Sequence, residues 1–408
     1  MYNVLIGQSG GPTSAINATL SGIIEECLAS PEIGTVYGAV NGIEGVLKDN
    51  IIDLTSVFAE NTAEKLYDLS ITPSYALGSC RKKLPSIDTE EGLETYSKIF
   101  GILKKYNVGA FFYIGGNDSM DTVNKLSKIA EKFSSDALFI GVPKTIDNDL
   151  DHTDHTPGFG SAAKYIAATV QDIVMDCSVY TVKSVTLVEI MGRDSGWLTA
   201  ASAIPTINGN GPDYVYLPEV GFDINKFIDD INLAHQKHPN VVICLSEGIR
   251  DKNGYYVGES EMSGKKDVFG HKYLSGAARY LEQIVRQRIG CKVRAFDLNL
   301  PQRCASYLIS ETDRKESIDS GRFSVRYMKK GKSGIMVSFF RRDDPYTIDF
   351  ECVDIDSVAN KVKTVPASFI SESGNMVNER CIEYLLPLIK GEADLHYVNG
   401  IPRHFKLR

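Results

Sequence analysis

An α/β protein of doubly wound parallel sheets is what this sequence predicts, and three junctions predict it. Short apolar runs at residues 2–6, 110–114 and 137–140 each stop at a loop rich in glycine or charge, and apolar residues then recur at helical spacing. Strand, loop and helix in that repeated order are the mark of parallel strands with helices on both faces. Such sheets gather their chemistry at the carboxyl ends of the strands, so these loops are where functional side chains are sought.

Composition sets the limits. The 408 residues allow two or three domains with a full core, and 43% hydrophobic and 24% charged residues are ordinary for a globular protein. A net charge of -8 argues against a general nucleic-acid or acidic-membrane surface, so an anionic ligand must find a local basic pocket. The eight cysteines (27, 80, 177, 244, 291, 304, 352 and 381) form no C-x-x-C pair and read as free thiols of a reducing cytoplasm. The chain opens directly into its first strand, with no basic leader and no stretch of membrane-spanning length, so a cytoplasmic protein is expected.

In chain order, residues 4–6 run into Gly7-Gln8-Ser9-Gly10-Gly11-Pro12-Thr13, after which Ala15, Ile16, Leu20, Ile23, Ile24 and Cys27 mark a helix. Backbone N–H groups at such a junction suit a phosphate, although the glycines match neither the P-loop nor the dinucleotide pattern and equally fit an ordinary turn. Gly258 to Lys266 also fails the P-loop pattern. Residues 35–90 look irregular, with a short strand at 35–40, and end in Gly78-Ser79-Cys80-Arg81-Lys82-Lys83, an anion clamp or a solvated basic loop. A helix at 90–106 feeds the strand 110–114, which ends in Gly115-Gly116-Asn117-Asp118-Ser119 and opens a helix near Ser119.

The strand 137–140 leads to Gly141-Val-Pro-Lys144-Thr145-Ile-Asp147-Asn-Asp149. A carboxylate that takes a proton, one that binds a hard metal and an ammonium that holds an anion are together what phosphoryl transfer needs, while alone the stretch also fits a solvated Asn-Asp turn. Two glycine loops followed by this segment on the next strand favour a shared site. His152 and His155 lack the second ligand pair of a zinc site. Helix 161–176, strand 185–190 with Met191-Gly192-Arg193, and strand 241–245 with Glu247 follow. Residues 251–272 read as a polar flap, 275–289 as a helix, and 294–303 as a strand end before a helix from about 305. Strands at 334–340 and 346–355 form a hairpin, and residues from 366 onwards a mixed helical tail.

Over roughly residues 3–325 these pieces resemble the phosphofructokinase superfamily in order and spacing. Gly10-Gly11 with Asn17 is similar to that family's first glycine turn, Gly78 to Arg81 to its phosphate-binding arginine turn, and Gly115 to Ser119 to its G-G-D-G-S or G-G-D-D-S loop. Pro143 to Asp149 resembles the T-I-D-N-D segment, Met191-Gly192-Arg193 the M-G-R, and Glu247, Arg294 and Arg303 the sugar-phosphate pocket. The resemblance implies two doubly wound, Rossmann-like lobes facing across a cleft: 1–180 for the donor and 181–325 for the sugar phosphate, the chain crossing back near the end; residues 326–408 lie beyond it and are expected to form an α+β extension packed on the lobes.

It also implies roles. ATP-dependent members carry glycine at two positions where Asp118 and Lys144 stand here, and this pair implies pyrophosphate as donor, because a carboxylate at 118 repels a nucleotide's α-phosphate. Asp147 would take the proton from the 1-hydroxyl of fructose 6-phosphate, with Thr145 placing the hydroxyl or donor. Lys144, Arg81 and Arg193 would draw charge off the transferring group, and Gly10, Gly11, Gly115, Gly116, Asp118 and Ser119 would surround the donor. Met191, Gly192, Arg193, Glu247, Arg294 and Arg303 would hold the sugar phosphate, and Asn117 and Asp149 the Mg²⁺. The family's magnesium-binding aspartate is Asn117 here, and its usual His or Tyr three residues before the pocket arginine is Leu300. Some phosphate-binding arginines of the family come from a neighbouring subunit, just upstream of the M-G-R, where the nearest basic residue here is Lys183, one place out of register, and a homodimer is expected.

Overall fold

The computed structural model describes residues 1–258, 276–359 and 361–407; most of the flap expected at 251–272 lies outside the described residues. Eleven strands carry the architecture: β1 Tyr2–Gln8, β2 Ile33–Ala39, β3 Ile51–Asp53, β4 Val108–Gly115, β5 Leu138–Pro143, β6 Ser184–Ile190, β7 Tyr214–Tyr216, β8 Asn240–Ser246, β9 Lys292–Asp297, β10 Ile335–Arg342 and β11 Thr347–Asp354. They form a seven-stranded sheet, β11-β10-β5-β4-β1-β2-β3, and a four-stranded sheet, β7-β8-β6-β9.

In the first sheet β1, β2, β4, β5 and β10 run parallel, and only β3 and β11 at the two edges run against their neighbours. Its central strands are near-continuous apolar runs because both faces are covered. Leu5, Phe111 and Phe139 point to one face, packing on helix α2 (Glu90–Lys105) and helix α3 (Asn117–Ile129) through Tyr96, Ile99 and Val123. Val4, Ile6, Phe112 and Ile140 point to the other, against helix α1 (Ile16–Leu28). The strand order reverses between β1 and β4, so the loops after Gln8 and Gly115 open a crevice at the sheet's carboxyl edge.

The second sheet is wholly parallel, with β6 flanked by β8 and β9. Helix α4 (Phe159–Ser178) joins the sheets and helix α5 (Ile224–Ala234) and helix α6 (Ala277–Arg288) cover the second one. The chain's return comes before residue 325: helix α7 (Glu311–Lys329) already lies on α1 of the first lobe. The two helices touch backbone to backbone, because a β-carbon on Gly22 would stand 2.0 Å from Ile318 O and one on Gly321 2.3 Å from Thr19 O.

The C-terminal extension is built into both lobes. Its hairpin, β10 and β11, adds to the first sheet by pairing Ile335 and Met336 with Ile140 and Gly141. Val365, Val377, Cys381, Leu385 and Leu388 enter the core around α4, and Phe405 stacks on Phe58 of the first lobe at 5.5 Å. Within the irregular stretch 35–90 the structure places short helices at Gly42–Leu47, Leu54–Val57 and Thr62–Ser70, each too brief to show helical periodicity. All eight cysteines are free, and among the described residues no helix is long and apolar enough to cross a membrane.

Candidate active site

Three loops of the first lobe converge on Lys144. Its ammonium donates to Gly11 O at 2.7 Å, its backbone N–H donates to Gly115 O at 3.0 Å, and a β-carbon on Gly10 would stand 3.1 Å from Nζ. Gly10 has φ +90°, the left-handed backbone that glycine adopts without strain. The turn bearing Arg81 is tied to the same glycines: Ser79 Oγ donates to Gly10 O at 2.7 Å and Gly10 N–H donates to Cys80 O at 3.1 Å. Burial pulls Lys144 down to about 8, Arg303 and Arg81 push the same way, and Asp147 and Asp149 oppose them.

Beyond Lys144 the loop folds on itself. Asp147 N–H donates to Thr145 Oγ1 at 3.0 Å, and Thr145 O accepts the Thr156 hydroxyl at 2.8 Å. Asn148 is buried at φ +52°, a conformation that asparagine tolerates better than most residues and that sets Asp147 and Asp149 on either side of it. Both carboxyls are raised above the ordinary range. Burial is the first cause for each; Glu247 adds to it at Asp147 and Asp147 adds to it at Asp149, while Lys144 draws both down. Two carboxyls that resist ionisation beside a buried ammonium make a proton acceptor poised near neutral pH.

The second lobe supplies the opposite wall. Met191 N–H donates to Gln302 Oε1 at 3.1 Å, and Gly192 N–H to Glu247 Oε1 at 3.3 Å. Glu247 N–H donates to Ile190 O at 2.9 Å, so the ends of β6 and β8 are joined. Gly248 cannot be replaced without displacement, since a β-carbon there would stand 2.0 Å from Arg193 O. Arg303 reaches across to the first lobe: a β-carbon on Gly11 would stand 3.6 Å from its Nη1. The Nε atoms of Arg193 and Arg303 are buried without a hydrogen-bond partner, as donors awaiting an anion would be. Burial raises the Glu247 carboxyl, and the hydrogen bond from Gly192 and the charge of Arg193 lower it.

At the second glycine loop, Gly116 caps α3 in extended conformation and a β-carbon on Gly115 would stand 1.9 Å from Ser119 Oγ. Asp118, at the first turn of α3, pairs with Lys83 at 2.9 Å and is partly exposed. Asn117 Oδ1 is buried without a partner. An orphaned carbonyl oxygen and the Asp149 carboxyl are hard oxygen donors of the kind Mg²⁺ takes, so in donor chemistry these residues fit that ion.

Arg294 does not join this cluster. It stands three residues before the end of β9, opposite Thr186, and its guanidinium is 3.9 Å from Asp176 near the far end of α4. There it lines a cavity of about 280 Å³ with Asp172, Ile173 and Cys177. Within one chain, Arg294 is thus parted from Glu247 and Arg303, because a mid-strand side chain faces the covering helix and not the sheet's edge. Leu300 is half-exposed beside Arg303.

Three residues that hold the loops in place were missed in the sequence reading. Gln302 is 1% exposed and fixes Met191, as above. His155 is buried between Asp154 at 2.9 Å and Glu316 at 2.8 Å, and Glu316 also accepts the Tyr346 hydroxyl at 2.8 Å. Lys363, from the C-terminal extension, donates to Asp154 O at 2.6 Å and Thr153 O at 3.0 Å. Only their residue types were readable, since each meets the site through contacts distant in sequence.

The phosphofructokinase family model matches residues 3–309. Over 410 residues the chain is 37% identical to a pyrophosphate–fructose 6-phosphate 1-phosphotransferase of Methylococcus capsulatus, covering 99% of this chain and 96% of that one. It is 38% identical over 414 residues to the protein of the same name from Xanthomonas campestris, covering 100% and 96%. Among solved structures, a pyrophosphate-dependent phosphofructokinase from Nitrosospira multiformis superposes with a TM-score of 0.88 at 32% identity, covering 99% of this chain and 95% of that one. Fold, loop geometry and full-length similarity agree: the chain belongs to the phosphofructokinase family.

Proposed function

We propose that this protein transfers a phosphoryl group reversibly between pyrophosphate and the 1-hydroxyl of fructose 6-phosphate, giving fructose 1,6-bisphosphate and phosphate. The observation that carries this reading is Lys144, buried on the Gly10-Gly11 turn at a position where the family resemblance implies glycine in ATP-dependent members, with the carboxylate of Asp118 at the first turn of the neighbouring helix. Similarity along the full length to proteins named for this reaction supports it.

Asp147 accepts the proton of the 1-hydroxyl as that oxygen forms its bond to the nearer phosphorus in line, and the bond from that phosphorus to the bridging oxygen breaks. Lys144, Arg81 and Arg193 hold the negative charge that builds on the transferring and leaving groups, with Thr145 aligning the hydroxyl. Gly10, Gly11, Gly115, Gly116 and Ser119 let backbone N–H groups approach the donor. Met191, Gly192 and Glu247 hold the sugar, and Arg303 the 6-phosphate. Asn117 and Asp149 would hold Mg²⁺, which when bound neutralises pyrophosphate charge. Exchange of one phosphate linkage for another of comparable energy serves both glycolytic and gluconeogenic flux. A cytoplasmic homodimer is part of this reading; the eight free thiols and the exposed apolar residues Val179 and Val182 beyond α4 support it.

The test is an assay of purified protein with Mg²⁺ and fructose 6-phosphate. Fructose 1,6-bisphosphate should form with pyrophosphate and not with ATP. The reverse preference would make the protein an ATP-dependent 6-phosphofructokinase, and silence with both a sugar-phosphate binding protein.

A further inference from the structure

Residues 361–365 run between the two lobes behind the loop that carries Asp147 and Asp149. The Lys363 backbone N–H donates to Asp149 O at 2.8 Å, and its carbonyl accepts from the Trp197 indole N–H of the second lobe at 3.3 Å. Val365 N–H donates to Glu219 Oε1 at 2.9 Å, the oxygen that also accepts from Gly196 N–H at 2.8 Å. The segment is thereby tied to the first lobe on one side and to the second on the other.

The side chain makes the stronger connection. Lys363 Nζ donates to Asp154 O at 2.6 Å, Thr153 O at 3.0 Å and Asn148 Oδ1 at 3.4 Å, and it lies 5.5 Å from the centre of the Trp197 ring. An ammonium has three donors, and these three neutral acceptors use them all. They stand at the two ends of the stretch 148–154, so one nitrogen closes that stretch on itself. Burial pulls Lys363 down to about 8, with Asp154, Asp149 and Asp151 opposing. A buried cation that meets chiefly carbonyl oxygens costs more than an apolar residue of the same length, which points to a task other than stability.

We propose that Lys363 is a positioning residue for phosphoryl transfer: by holding residues 148–154 closed between the lobes, it sets where Asp147 and Asp149 stand opposite the second lobe. The proposal rests on the role given above to Asp147, and it acts through the loop and not on the reacting atoms. Glu247 on the second lobe is held by other contacts, its N–H on Ile190 O and its carboxylate on Gly192 N–H, so the effect falls on turnover and not on binding.

The experiment compares wild type with Lys363→Met and Lys363→Arg. In Lys363→Met, kcat should fall about 100-fold while KM for fructose 6-phosphate stays within about threefold, as expected for misplacement of reacting groups by roughly an ångström. Lys363→Arg, which keeps charge and donors, should recover at least about tenfold of that loss. Hydrogen exchange of peptides covering 148–155 should quicken at least about tenfold in Lys363→Met, with the strand Leu138–Pro143 unaltered. A kcat within about threefold of wild type, an equal change in kcat and KM, or unaltered exchange overturns the proposal. The exchange measurement needs no substrate, so unaltered exchange overturns the proposal even if wild type proves inactive with pyrophosphate. Should Lys363→Met not fold, Trp197→Phe removes the indole N–H that anchors the segment; a selective fall in kcat supports the proposal and an unchanged kcat overturns it.

Discussion

At the scale of single residues, Lys144 shows how the site is tuned. With 3% of its surface exposed it is almost wholly out of water, and burial has brought its ammonium down to about 8 despite two nearby carboxyls. Its charge is therefore present at neutral pH and half lost near pH 8, so kcat should fall as pH rises through that value. Lys144→Arg, whose guanidinium stays charged, should move this alkaline limb upward even if its rate is lower, and pH profiles of kcat for the two proteins would check it. Lys144→Ala should lose on the order of 10²–10³ in kcat with little change in sugar-phosphate affinity. The meeting of Lys144 with the glycine loops was legible because residue types and short spacings expose it. Arg294 was legible as a motif but not as a place: spacing along the chain says nothing of which way a mid-strand side chain faces.

At the scale of elements, the stretch that follows Asp149 is braced by His155. Burial alone would lower its imidazole, but Glu316 and Asp154 on either side carry it up to about 9, so both ring nitrogens hold protons and donate at neutral pH. The folded value lies above the unfolded 6.5, so this bracing stabilises fully below pH 6.5 and is lost as pH rises through about 9. By linkage it contributes at most about 3 kcal/mol. Denaturant unfolding between pH 6.5 and 9.5 should show wild type losing stability with a slope that His155→Asn largely removes. Helix α4 depends on a distant partner in the same way. Its start at Phe159 is capped by Asp313 of α7, which accepts from the N–H groups of Gly158 and Ser161 at 2.9 Å. The sequence places this helix at 161–176 because no capping residue stands next to its first turn. Long periodic elements were legible; caps drawn from elsewhere in the chain were not.

At the scale of the molecule, the two sheets present their carboxyl edges to each other, and the approach of Arg303 to Gly11 closes the gap between them. The doubly wound class was readable because the strand–loop–helix order repeats, whereas the place of the hairpin at 335–354 was not, since pairing with β5 leaves no local trace. Arg294 stands outside its own chain's site, and in the proposed homodimer it would serve the neighbouring copy. Arg294→Ala and Asp147→Ala should each lose most activity alone. Mixed under conditions that exchange subunits, the two variants should recover measurable turnover, because one site of each hybrid then holds both residues; no recovery would confine Arg294 to a local role.

The pairing of β5 with β10 has a consequence for biosynthesis. During translation, Ile140 and its partner Ile335 are almost two hundred positions apart, so the flank of the first sheet stays bare until the later one leaves the ribosome. The smaller sheet, whose strands span 184–297, is complete by then. The sheet that begins the polypeptide is thus the last to be finished, and a nascent chain stalled before residue 335 would expose an unpaired, sticky border to its neighbours.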